Sequence, residues 1–433
     1  MTDFKELAIE EALRSELGKT AVFGRHQRDI RTPMNFVLDE AEKQMGPQFS
    51  VYWVKTGPPD VFCLSGFSPS PVVFSSRYLS LTAFIRHLFV DDWLKNMLVE
   101  VAERTTLKLM AEMALWQGDP DYSVLAFVKS MTGKGIYLSD DDQLMDLEYA
   151  PVSEAYMATW FYALVHELGH LNPDHQQNFP TGHLFSDEAI LNAITVKLDD
   201  FPYYSPSMRQ EAVELAKQSG SKSVLAIDHV RSEGLADMFA ASVLLQAASN
   251  IMRDIRKPFS IPQFIQELII FFNIIAVIDR CTRVASIASA RTADREARFE
   301  LALQPVALRV RALMQHHYLD SAITMFLHGS DYTMEQYQRV VTMINGINKT
   351  NAEIINAVDS GLARAMEFSL FPERRENDRA LLEAFLKDFA HSGPGIQETL
   401  RFCKMADAIR AESKLLQALK GIVSDSSKSC HRL

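Results

Sequence analysis

His166-Glu167-Leu168-Gly169-His170 closes an apolar stretch that starts at Tyr156 and runs through Phe161-Tyr162-Ala163-Leu164-Val165 to Leu171. The stretch reads as one buried helix. Residues four apart share a helix face, so His166 and His170 present two imidazoles to one side, where both can grip a single metal ion. Glu167 lies one position round, beside the place that a water on that ion would take. Zinc lowers the pKa of such a water to about 7, and a neighbouring carboxylate can take its proton during attack on a carbonyl. Gly169 sits inside the helix, where it costs roughly 1 kcal/mol against Ala, so the spacing points to close packing there. Pro173 ends the helix soon after His170.

A third ligand is needed to complete such a site. Just downstream, Pro173 and Gln176 stand where a metzincin pattern needs Gly and His, and His175 is one position off. The better candidate is Glu233, in Arg231-Ser232-Glu233-Gly234-Leu235-Ala236-Asp237-Met238-Phe239-Ala240-Ala241. This segment is helical by pattern, and Glu233 and Asp237 are again four apart. Glu233 would complete a His₂Glu set and leave a fourth position for water. Asp237 would accept the free ring N–H of a ligand histidine, fixing its tautomer.

His-Glu-x-x-His followed by Glu-x-x-Ala-Asp resembles the gluzincin peptidases. Glu233-Gly-Leu-Ala-Asp237 is similar to the block of HtpX-type and CAAX-processing membrane peptidases. Their upstream strand block has an echo in Asp60-Val-Phe-Cys-Leu-Ser-Gly66 and Pro71-Val-Val-Phe-Ser-Ser76. Met238-Phe239-Ala240-Ala241-Ser-Val-Leu-Leu245 looks like the soluble ImmA/IrrE peptidases, and the Lit phage-exclusion peptidases are a looser comparison. The resemblance covers residues 50 to 245. The segments before His166 and between His170 and Glu233 are long relative to the compact families. The resemblance implies zinc on His166, His170 and Glu233, Glu167 as general base, and Asp237 orienting a histidine.

The chain has 433 residues, 47 % hydrophobic and 23 % charged, with a formal charge of −11. That composition fits a folded soluble protein and argues against general nucleic-acid binding, which needs basic patches. The first residues carry no apolar core of a signal peptide. The most apolar run, 268–278, is too short for a bilayer that needs about 20 residues, so it reads as a core helix and no membrane span is expected. Cys63, Cys281, Cys403 and Cys430 show no paired spacing, which fits a reducing compartment and a cytoplasmic location. Cys430-His-Arg-Leu433 has the outline of a prenylation box, but its middle residues are not aliphatic, and it reads as a loose tail.

The expected fold is mostly α with a small β-sheet: a zincin-like α+β catalytic core plus an all-helical C-terminal region. Residues 1–46 read as two helices with a basic break at 25–31. Residues 47–250 form the metallopeptidase core with helical insertions, and 251–433 a helical domain. Runs at 50–54, 61–64 and 72–75 read as short strands. Residues 136–138 or 72–74 are candidates for a cleft strand that pairs with extended substrate. Asp140-Asp-Asp142 lacks the Gly and Glu of a calcium loop and reads as a solvated acidic turn. Tyr203, Tyr204 and His229 are candidate donors to an oxyanion, selected by chain order alone. The Arg- and Glu-rich stretch 291–311 reads as a solvated helix face.

The expected function is a soluble, cytoplasmic, zinc-dependent endopeptidase with one zinc ion. It would act on a protein or peptide substrate, selectively or under the control of a regulatory protein partner. The alternative is a zinc-stabilised scaffold that does not cleave. Retention of Glu167 argues against that, because a structural site has no need of a base.

Overall fold

The computed structural model describes residues 4–17, 21–26, 33–46, 49–56, 61–64, 66–79, 98–116, 118–131, 154–171, 186–200, 204–254, 263–275 and 393–421, with further single positions, most of them between 299 and 364. In chain order the elements are α1 (Phe4–Leu17), β1 (Val22–Arg25), α2 (Pro33–Met45), β2 (Phe49–Thr56), β3 (Val61–Cys63) and β4 (Ser70–Ser75). Then come α3 (Leu98–Trp116), α4 (Pro120–Met131), α5 (Glu154–His170), α6 (Asp187–Asp199), α7 (Pro206–Lys217) and α8 (Ile227–Asp254). Helices α9 (Gln263–Ile275) and α10 (Gly393–Ile409) follow, with helical turns between 299 and 314. The architecture is mostly helical around one small mixed sheet.

The sheet has the order β1-β2-β4-β3. β2 and β4 pair in parallel, and the two outer strands pair antiparallel to their neighbours. Period-two alternation assigns its faces. Phe49 and Val51 of β2, with Val72 and Phe74 of β4, point into the largest core, whereas Tyr52, Val54 and Val73 point the other way. The second face is covered by Ile9, Leu13 and Leu17, one stripe of α1. With both faces covered, each buried Val or Phe contributes roughly 1.5–3 kcal/mol.

The three strand runs read from sequence all form. β1 was not anticipated, since residues 1–46 read as two helices around a basic break. It is a four-residue edge with mostly exposed side chains, so it has no apolar pattern to signal it. Its pairing with β2 supplies what its own composition does not.

The largest core combines α2, the sheet, α5, the C-terminal half of α8, and α9. The core therefore runs across the sequence boundaries at 46/47 and 250/251. Leu268, Ile270, Phe271, Ile274 and Ile278 are buried in it, as expected of a core helix. α8 is long and apolar enough to cross a membrane by composition, but 72 % of that apolar window is buried inside the protein. A second cluster joins α3 and α4 to α10. A third joins α6, α7 and the start of α8 to the turns at 303–314. The described residues beyond 250 include no strand. The candidate strand at 136–138 and the acidic turn at 140–142 lie outside the described residues.

Candidate metal centre

The site forms where α5 crosses α8. Gly169 allows the crossing: a Cβ there would stand 2.9 Å from the Cα of Ala236. The approach sets the end of α5, with His166 and His170, against the second and third turns of α8, with Glu233 and Asp237.

The Nε2 atoms of His166 and His170 are 3.2 Å apart. Glu233 sits astride them, with Oε2 3.3 Å from the first and Oε1 3.4 Å from the second. Bonds of about 2.0–2.1 Å to one ion in a tetrahedral site place neighbouring donors about 3.3–3.4 Å apart. Two imidazole nitrogens and a carboxylate with one oxygen toward each lie close enough to share one small cation. Glu167 also belongs to the group: its oxygen and the His166 and His170 nitrogens lie within 4.8 Å of one another. Glu233 makes the shorter contacts to the two imidazoles, and Glu167 stands beside them. His166, Glu167 and His170 form a partly buried group that could hold a metal ion.

The far side of each imidazole is also held. His166 Nδ1 lies 2.8 Å from Asp237 Oδ1. Its N–H does not point squarely along that contact, so the pairing is chiefly electrostatic. Asp237 is almost fully buried and accepts a hydrogen bond from the Tyr162 hydroxyl at 3.0 Å. His170 Nδ1 lies 3.3 Å from the Ser232 hydroxyl. Such partners fix ring orientation and tune ligand basicity.

Arg311 completes the cluster. Its Nε and Nη2 donate to Asp237 Oδ2 and Oδ1 at 3.1 and 2.9 Å, and Nη1 lies 3.0 Å from Glu233 Oε2. At Arg311 this corrects the reading of 291–311 as a solvated face: the side chain is only 13 % exposed, and it pairs with the buried Asp237 and the largely buried Glu233. Cys63, on β3, lies beside the Glu167 carboxylate.

These neighbours set the protonation of the site. Burial would raise the Glu233 carboxyl, but Arg311 and the two imidazoles hold it well below the usual carboxylate range. The same holds for Asp237, where burial is overcome by Arg311 and His166. Burial opposes a charge on His166, yet Asp237 and Glu233 push it up to about 10. Burial raises the Glu167 carboxyl against the pull of both imidazoles. Burial and the adjacent Glu167 push the Cys63 thiol up to about 11.

His166, Glu167, His170, Glu233 and Asp237 therefore lie together at the crossing of α5 and α8. The oxyanion candidates do not follow as a group. Tyr204 is buried, and its hydroxyl donates to the Ala302 backbone carbonyl within the α6–α7 cluster, so it is committed elsewhere. Tyr203 lies outside the described residues. His229 is exposed one turn before Glu233. Of the candidate cleft strands, 72–74 lies in β4, whose two edges are both occupied by β2 and β3. It cannot pair with a further strand. Among the described strands near α5, β3 is the one at the sheet edge, and it carries Cys63 beside Glu167.

Sequence reasoning missed Tyr162, Ser232, Cys63 and Arg311. Tyr162 was within reach, being one helical turn before His166 on the same face. Ser232 adjoins Glu233. Nothing in the chain order points to Cys63 or Arg311. Comparison of the chain with models of protein families, with curated proteins and with solved structures finds no match in any of the three.

Proposed function

We propose that the chain is a zinc metallopeptidase of gluzincin type with a zincin-like core, acting as an endopeptidase. The observation that carries this reading is the 3.2–3.4 Å spacing of the His166, His170 and Glu233 donors with Glu167 at their side. His₂Glu with an adjacent carboxylate suits hydrolysis better than structural zinc, whose sites are closed by four protein ligands. A zinc ion held there would supply Lewis acidity, polarising the scissile carbonyl and acidifying a water. Glu167 takes the proton of the attacking water and returns it to the leaving amine nitrogen. Asp237 holds His166, and Ser232 holds His170. β3 is the outer strand of the sheet on this side among the described residues, where an extended peptide could lie as an added strand.

The reading as a soluble cytoplasmic enzyme draws on the free thiols Cys63 and Cys403 and on the burial of α8 within the core. Selectivity or regulation through a protein partner is part of the proposal, resting on the helical mass around the site.

The test compares new protein N-termini in cells expressing the wild type or Glu167→Gln, with zinc content measured on both purified proteins. Termini found only with the wild type, at equal zinc, establish the peptidase and name its substrate. Equal zinc with identical termini favours the scaffold. Absence of stoichiometric zinc from the wild type overturns the metal reading.

A further inference from the structure

Glu233 faces both imidazoles, one oxygen toward each, at 3.3 and 3.4 Å. Left to itself, such a carboxylate can close both oxygens on one cation. That would occupy the position a catalytic site must leave for water. Arg311 stands against this. Its fork is anchored on Asp237 by two nitrogens, at 3.1 and 2.9 Å, and the third nitrogen is thereby aimed at Glu233 Oε2, 3.0 Å away. Asp237 is itself fixed by Tyr162 and His166, so the plane of the guanidinium is not free to turn.

We propose that Arg311 is a positioning residue that reserves one oxygen of Glu233, so that Glu233 holds the metal through the other oxygen alone. The inference rests on the metal site proposed above. Charge-assisted hydrogen bonds from a planar fork are short and directional, and a second Glu233 oxygen could reach the ion only by giving one up. The contact is sheltered, with the Arg311 and Glu233 side chains 13 % and 17 % exposed, so water competes poorly for it.

The position of Arg311 extends the argument. Its neighbours Leu303, Val306, Val310 and Met314 are buried with Ile190, Ile194, Tyr204 and Leu235 of the α6–α7–α8 cluster. The residue that sets the grip of Glu233 thus comes from a layer far along the chain, held by its own apolar core. The metal site is complete only when that layer is docked.

The test uses the full chain loaded with cobalt(II), whose visible d–d intensity falls as four-coordination gives way to five-coordination. The X-ray absorption coordination number is read alongside. The wild type is expected to be four-coordinate. Arg311→Met should lose d–d intensity and gain one oxygen in the metal's shell, as Glu233 closes both oxygens on it. Arg311→Lys keeps the charge but cannot span two carboxylates, and it should shift the same way. A five-coordinate wild type with both Glu233 oxygens bound overturns the proposal. So do folded variants with the wild-type spectrum. Should Arg311→Met not fold, Arg311→Lys and the wild-type coordination number still decide. A wild type that takes up no cobalt or zinc overturns the metal reading itself, which separates that failure from failure of the Arg311 role alone.

Discussion

Gly169 and Ala236 mark the contact of α5 with α8. A Cβ added at Gly169 would lie 2.9 Å from the Ala236 Cα and 3.2 Å from its carbonyl oxygen and Cβ. The obstacle is backbone, which cannot rotate away. Gly→Ala inside a helix normally gains about 1 kcal/mol. Here the helices must part, and overpacking of this kind costs about 1–3 kcal/mol. Gly169→Ala is therefore expected to be less stable than the wild type by urea unfolding. It should also bind zinc more weakly, because His166 and His170 move away from Glu233. Wild-type stability and zinc affinity together would refute the close-approach argument.

Asp237 is the most constrained side chain of the site. It holds His166, accepts from Tyr162 and pairs with Arg311, all while almost fully buried. Removing Asp237 leaves Arg311 with Glu233 alone and takes the partner from His166, a loss at the lower end of the roughly 3–5 kcal/mol for a broken buried pair. Asp237→Ala should lose on that order in chemical unfolding of the metal-free protein. Tyr162→Phe removes one donor and leaves the charges matched, so its cost should be about 1–2 kcal/mol. Equal costs for the two would mean that the ion pair with Arg311 contributes nothing.

Ser232 offers a gentler probe. Its hydroxyl, 3.3 Å from His170 Nδ1, sits behind a proposed ligand and is not itself one. Loss of such a partner typically lowers metal affinity by about 10–100-fold. Ser232→Ala should then bind zinc at least tenfold more weakly in competition with a chelator, with an unchanged circular dichroism spectrum. Unchanged affinity would show that packing alone orients the ring.

The parts of this site that could be read from the chain are those set by local periodicity. His166 and His170, like Glu233 and Asp237, are brought together by the rise of one helix, and Gly169 announces the crossing that joins the two pairs. β2, β3 and β4 were legible because Val, Phe, Tyr and Trp cluster in short runs between turn residues. β1 was not, because an exposed four-residue edge acquires its conformation from its partner. Arg311 was hidden for a different reason. An arginine among charged residues looks solvated until the fold supplies two carboxylates 74 and 78 positions earlier, at Asp237 and Glu233. Tyr204 shows the converse: chain order set it between the two motifs, yet its hydroxyl is spent on Ala302.

Cys403 supplies a pH-dependent test away from the candidate metal site. It lies on α10, buried with Phe402 and Ala406 against α3 and α4. Burial pushes its thiol from the ordinary 9.0 up to about 11, with Asp407 adding to the rise and Lys420 opposing it. The folded protein therefore favours the neutral thiol. The stabilisation is fully present below pH 9 and is lost as the pH rises from there through about 11, because the unfolded thiol ionises first. The reactive species is the thiolate, and the two-unit gap lowers its fraction roughly 100-fold at pH 8. Peptide-resolved alkylation with iodoacetamide at pH 8 should label Cys403 at least that much more slowly in the native protein than in urea. The unfolding midpoint should decline between pH 9 and 11 less steeply in Cys403→Ala. Native labelling at the unfolded rate would mean that α10 does not stay docked on α3 and α4.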